Sequence, residues 1–211
     1  MLFHGSVDET KLSVPCGRMK TVMAKPILVE VSVKHVHLCE ADLEILFGET
    51  HCLKNRKDLS QPGQYACEER VDVIGPKGVL KNIAVLGPLR PSTQIELSMS
   101  DCRIAGINAP IRESGDIAGS AGCKIVGPCG KVEIDEGVIV AKRHIHMTPE
   151  DAKELNVENN EIVKVEVQSD IRGTIYGDVV VRVHENFALA MHLDTDEGNA
   201  AFGGTVGYIV K

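Results

Sequence analysis

Tryptophan is absent from this sequence, and phenylalanine and tyrosine bring the aromatic content to only 3%. Large rings therefore cannot organise the core. It must be built from Val, Ile, Leu and Ala, a set that leans toward strands. No stretch approaches the ~18 consecutive apolar residues of a membrane-spanning helix, so no membrane partner is expected. The seven cysteines, at 16, 39, 52, 67, 102, 123 and 129, are odd in number and contain no CxxC. They fit neither a disulfide framework nor a four-cysteine zinc ribbon, and free thiols in a reducing cytoplasm are expected. Runs of Lys and Arg are missing too. With a net charge of −7, the chain lacks the basic stripe of a nucleic-acid binder. An acidic protein can still take an anionic substrate, but only through a local group of cations or a metal.

What is present is β-texture. Residues 1–25 stand apart, with Pro15 and Gly17 and no sustained helical stripe; they are expected to form an N-terminal extension, disordered or targeting, with Met19 and Met23 as later candidate starts. From Pro26 onward, ILVEVSV (27–33), RVDVI (70–74), NIAVL (82–86), TQIELSMS (93–100), EIVKVEVQS (161–169) and DVVVRVH (178–184) read as short strands, many alternating in period two. GPKG (75–78), GPCG (127–130) and IRGTIYGD (171–178) supply turns. Two stretches suit helix. ADLEILFG (41–48) ends on a glycine, and TPEDAKELN (148–156) opens with Thr148 as N-cap and Pro149 at the first helical position. Many short strands with a few short helices describe a mainly β fold of two small barrel-like domains with short capping helices.

The chain also repeats itself. KHVHLCEADLEIL (34–46) lies over RHIHMTPEDAKEL (143–155): basic residue, His, branched aliphatic, His, then Leu or Met, and later Asp42 over Asp151. Each copy follows a valine-rich strand and enters a helix. Downstream, each half carries two strands joined by a glycine turn, GPKGVLKNIAVL and IRGTIYGDVVVRV. This reads as a duplicated unit.

On an extended strand, residues i and i+2 share a face, so His35 and His37 form one patch and His144 and His146 another. Two imidazoles so placed can hold one zinc-like ion. A single such pair is better explained by two half-exposed surface histidines; finding it twice at matched positions favours metal. The repeat also points to the missing third ligands: Glu96 in RPSTQIELS and, near the equivalent place, His192 in FALAMHLDTDE. Three protein ligands with an open position is the catalytic arrangement. On spacing alone Glu96 is equally a solvated strand residue. Arg90, ending the GPLRP turn near Glu96, suits an anion but is equally an exposed loop arginine. Cys39 could reach the same metal, although a small buried thiol is the simpler role, since its counterpart is Thr148. His4, His51 and His184 have no partner at ligand spacing.

VSVKHVHL, NIAVLGPLRPSTQIELS, INAPIRESGDIAGSAG, VIVAKRHIHMTPEDA and MHLDTDEGNA, spread over residues 27–204 in this order, resemble the phosphate propanoyltransferase family, the phosphotransacylases of propanediol-utilisation microcompartments and their relatives. The resemblance implies reversible conversion of a short acyl-CoA (propanoyl or acetyl) and inorganic phosphate into acyl phosphate and free CoA. It implies two divalent ions, usually zinc, between two barrel-like domains: one on His35, His37 and Glu96, the other on His144, His146 and His192. Arg90 falls on the family's phosphate-binding arginine. Contacts to CoA are implied at Val31, Ser32 and Val33, at Lys77 in the GPKG turn, and at Asn199. The implied domain division joins residues 26–47 to 156–211 in one barrel and places 48–155 in the other. A homodimer or higher homo-oligomer is expected, in the cytoplasm or inside a bacterial microcompartment, where shell or core proteins would be partners. Phosphate and acyl-CoA repel one another, and metal ions with Arg90 would supply the positive charge that the chain lacks overall. Two other readings remain open on the residues alone: a metal-dependent hydrolase, and a non-catalytic metal-binding scaffold.

Overall fold

A computed structural model describes residues 25–210; the expected extension lies outside the described residues except for Lys25, which pairs with Asp151 at 2.8 Å. The chain runs β1 (Ile27–Val31), β2 (His35–His37), α1 (Glu40–Phe47), β3 (Asn55–Asp58), β4 (Tyr65–Ile74), β5 (Val79–Gly87) and β6 (Gln94–Glu96). It continues with α2 (Met99–Ala105), β7 (Ile111–Arg112), β8 (Ala121–Val126) and β9 (Lys131–Ala141). The last part is β10 (His144–Met147), α3 (Pro149–Leu155), β11 (Ile162–Gln168), β12 (Thr174–Val183), β13 (Ala190–Leu193), α4 (Thr195–Ala200) and β14 (Val206–Val210). Alternation makes the strands: in β11, Val163, Val165 and Val167 turn inward between exposed neighbours.

The architecture is mainly β, as expected: two closed barrels with four short helices. The first barrel has the order β1-β13-β10-β12-β11-β14 and closes through β1 and β14. In the second, β4-β5-β2-β6-β9 closes through β8, which pairs with both β4 and β9, while β3 and β7 sit on its edges. Both interiors are aliphatic. Ile27, Val29, Ile145, Met147, Val181 and Met191 fill the first; Val36, Leu38, Val71, Ile83, Val85 and Ile95 are among those filling the second. Each such side chain contributes roughly 1.5–3 kcal/mol by burial.

The duplication extends through the whole of each barrel. Superpose the ring β9-β6-β2-β5-β4-β8 on β1-β13-β10-β12-β11-β14, and every pairing keeps its sense: parallel for β6·β9 and β1·β13, parallel for β2·β5 and β10·β12, antiparallel for the other four. Helices correspond as well, α1 with α3 and α2 with α4. In chain order the repeats are β1 to β8 and β9 to β14. Their leading strands are exchanged: β1 belongs to the first barrel while the rest of its repeat builds the second, and β9 does the reverse.

That exchange sets the division by sheet, which differs from the expected grouping of 26–47 with 156–211. Strand β2 pairs with β5 and β6, and Leu43 and Leu46 of α1 enter the second core. Strand β10 pairs with β12 and β13, and Ala152 of α3 enters the first core. The chain therefore crosses between barrels at residues 32–34 and again at 142–143, just before each His-x-His. A second difference concerns TQIELSMS. Its strand stops at Glu96, because the Ser98 side chain accepts a bond from the Asp101 amide and starts α2.

Candidate active site

Period two explains how four short strands present ligands without disturbing the barrels. Val36 lies fully buried between His35 and His37, and Ile145 between His144 and His146. Ile95 and Leu97 flank Glu96 in the same way, as Met191 and Leu193 flank His192. The aliphatic members anchor inside, so the polar ones face outward. Register then assembles the groups. Glu96 stands opposite His35 on antiparallel strands, and His192 stands opposite His144. The donor atoms of His35, His37 and Glu96 lie within 4.8 Å of one another, as do those of His144, His146 and His192. Each ligand strand leads, two residues on, into a helix N-cap: Cys39, Ser98, Thr148 and Asp194. Cys39 is thereby occupied as a cap position, its amide donating to Thr93 Oγ1, and it stands outside both donor groups.

Both groups open on one cleft of about 760 Å³, which Arg90, Ser114, Arg182, Gln61 and Phe187 also line. The histidines could hold a metal ion. His35 Nδ1 lies 2.8 Å from the Val33 carbonyl, and His144 Nδ1 lies 2.7 Å from that of Lys142. A ring nitrogen can only donate to a carbonyl, so Nδ1 carries the proton and Nε2 keeps a lone pair. His37 Nδ1 and His146 Nδ1 are buried with no hydrogen-bond partner among the described residues. Orphaned buried nitrogens on the second histidine of each pair are what a metal ligand leaves when its ion is removed. Burial, then the neighbouring imidazole, lowers His37 to about 3 and His146 to about 2. Burial, then His144, lowers His192 to about 3. Burial also lowers His144. Near neutral pH these rings are uncharged and able to ligate.

Glu96 is held differently. Burial pushes its carboxyl upward, but His35, His37, Ser114 and Arg90 outweigh that and keep it below the usual carboxylate range. Ser114 Oγ donates to Oε1 at 2.8 Å and Gln94 Nε2 donates to the same atom at 2.7 Å. Oε2 is left facing His35 Nε2 at 3.4 Å. Ser114 also accepts from the Arg90 guanidinium at 3.0 Å, so one hydroxyl ties the arginine to the carboxylate.

The residues expected at CoA are more scattered. Val31 and Ser32 line the cleft, Val33 is exposed, and Lys77 and Asn199 stand outside the lining. A run of contacts links Lys77 to Val31. Lys77 packs on Gly106 at the end of α2, the Ser100 amide of α2 donates to Asp196 of α4, and Gly198 of α4 meets Val31 so closely that a Cβ would lie 2.3 Å from it. Of the remaining histidines, His51 bonds Glu69 at 2.7 Å and His184 accepts from the Asn186 amide, while His4 lies outside the described residues. Sequence reasoning missed Ser114, Gln94, Gln61, Phe187 and Arg182. Only Arg182 left a signal, as a cation inside the apolar run VVVRV.

Two barrels of one plan, each contributing a three-donor group to one cleft beside a partly buried arginine, match known proteins over the same span. The family model described as Phosphate propanoyltransferase matches residues 28–203. Phosphate propanoyltransferase from Clostridioides difficile is 51% identical over 187 residues, covering 88% of this chain and 89% of the relative. That from Thermotoga maritima is also 51% identical with the same coverage, and that from Salmonella typhimurium is 48% identical over 177 residues, 84% of each chain. On the site's construction and on this match across nearly all its described length, the chain belongs to the phosphate propanoyltransferase family.

Proposed function

We propose that this protein is a phosphotransacylase that moves a short acyl group, propanoyl or acetyl, reversibly between CoA and inorganic phosphate. Family membership makes the chain an acyltransferase. The observation that carries the finer reading is the convergence of both donor groups and Arg90 on one cleft. His35, His37 and Glu96 would hold one divalent ion, zinc by the nature of the donors, and His144, His146 and His192 a second. When bound, these ions supply positive charge to the phosphate and to the leaving CoA sulfur. With neutral imidazoles the first group retains the Glu96 charge and the second retains none, so the second is the more cationic when loaded and suits phosphate. This leaves the sulfur to the first.

Arg90 binds phosphate through its guanidinium and is aimed by Ser114. The cleft holds nucleophile and thioester together, so that a phosphate oxygen attacks the acyl carbonyl carbon, a C–O bond forms, the C–S bond breaks, and CoA leaves as thiolate. Transfer is direct. No cysteine among the described residues lines the cleft, and burial pushes Cys67 up to about 11 and Cys123 to about 12. Ser32 faces His35 Nδ1 at 3.5 Å, but that nitrogen already serves the Val33 carbonyl and is no base. The six cysteines among the described residues are all free, which supports a reducing setting such as cytoplasm or a microcompartment interior. No helix among them is long and apolar enough to cross a membrane.

The test is CoA release from propanoyl-CoA and acetyl-CoA on protein of measured metal content, with and without phosphate. Release should require phosphate, yield acyl phosphate, and vanish on chelation. Release without phosphate would make the protein a hydrolase; bound metal without any turnover would make it a scaffold.

A further inference from the structure

Arg182 stands on β12 directly beside His146 of the adjacent parallel strand. Val181 and Val183 on either side turn toward the first core, so the Arg182 side chain shares the outward face of His146 and lines the cleft. Packing gives no reason for a cation there. Nearby Arg143 is fully engaged, pairing with Glu197 at 2.8 Å and stacking over Tyr176 at 5.5 Å. Arg182, by contrast, takes part in no ion pair and no side-chain hydrogen bond among the described residues. An unpaired guanidinium in the wall of the cleft that Arg90 also lines is free to take an anion.

Only one copy of the repeat carries a cation at this position. In the second barrel the register Val36↔Val85 places Leu86 at the position equivalent to Arg182. That barrel obtains its guanidinium elsewhere, from Arg90 beyond the end of β5. We propose that Arg182 is a second binding residue for the reacting phosphate, so that one guanidinium from each barrel grips its oxygens. A planar guanidinium matches phosphate through paired N–H donors, and a dianion relieves the repulsion between the two arginines. This rests on the phosphotransacylase reading. The phosphates of CoA are the other source of the same chemistry, and the kinetics separate the two.

The experiment compares metal-loaded wild type with Arg182→Gln and Arg182→Lys. It varies phosphate and propanoyl-CoA independently, and also measures the rise in Tm caused by inorganic phosphate alone. In Arg182→Gln the KM for phosphate should rise by about tenfold or more, as loss of charged hydrogen bonds implies. The acyl-CoA KM and the phosphate-free Tm should stay unchanged, and the phosphate-induced rise in Tm should shrink. Lysine should restore part of both effects. An unchanged phosphate KM with an unchanged Tm response overturns the proposal, and so does an increase confined to the acyl-CoA KM, which would assign Arg182 to CoA. If the wild type turns over without phosphate, the parent reading has failed instead, and the Tm arm still reports whether Arg182 binds the anion.

Discussion

Ser114 shows how much can hang on one hydroxyl. It donates to Glu96 and accepts from both Arg90 and Gln94, so carboxylate and guanidinium are oriented by the same atom. Ser114→Ala should lower activity by about 10–100-fold, the usual cost of removing an outer partner of a metal ligand. Metal should be lost from the His35 group while the His144 group stays loaded; retention of both ions at full occupancy would show that Gln94 alone suffices. The histidines themselves were legible in the sequence, because strand periodicity is local and the pairs occur twice. Ser114 and Gln61 were not, since they reach the site through contacts between distant segments that no spacing announces.

Among the elements, the turn joining β3 to β4 binds one barrel to the other. The Gln61 amide donates to the Ala188 carbonyl at 3.0 Å and accepts from the Ala188 N–H at 3.2 Å, and Ser60 hydrogen-bonds Glu30 of β1. Gln61 also lies 3.5 Å from His192, which places the turn over the second donor group. Gln61→Ala strands two partly buried backbone groups of Ala188 and should cost about 1 kcal/mol or more. That should lower Tm by several degrees in a chain of this size; an unchanged Tm would mean that water replaces the amide freely. Helices α1 and α3 were read correctly from their caps and patterns. Helix α2, as long as α3, was missed because its first residues were read into the strand TQIELSMS, and α4 because six residues show no period. Their caps were nonetheless written out: Asp194 and Glu197 form a reciprocal capping box within DTDE.

For the whole molecule, the cleft makes stability depend on pH once metal is gone. His37, His146 and His192 have folded-state pKa values of about 3, 2 and 3, against an ordinary 6.5. Between those limits the unfolded chain binds protons that the folded chain refuses, so stability is complete above about pH 6.5 and declines as pH falls. The Tm of chelator-treated protein should therefore drop between pH 7.5 and 5.5, and a flat profile would show that the rings are more hydrated than their burial implies. The exchanged strands carry a consequence for closure. A single copy of the repeat leaves a gap in its own barrel and holds out a strand that fits the same gap in another copy. One copy alone could close its barrel only by pairing with a second copy, and two copies joined end to end would give the present topology. Within one chain each position can differ from its counterpart, as Glu96 does from His192 and Leu86 from Arg182.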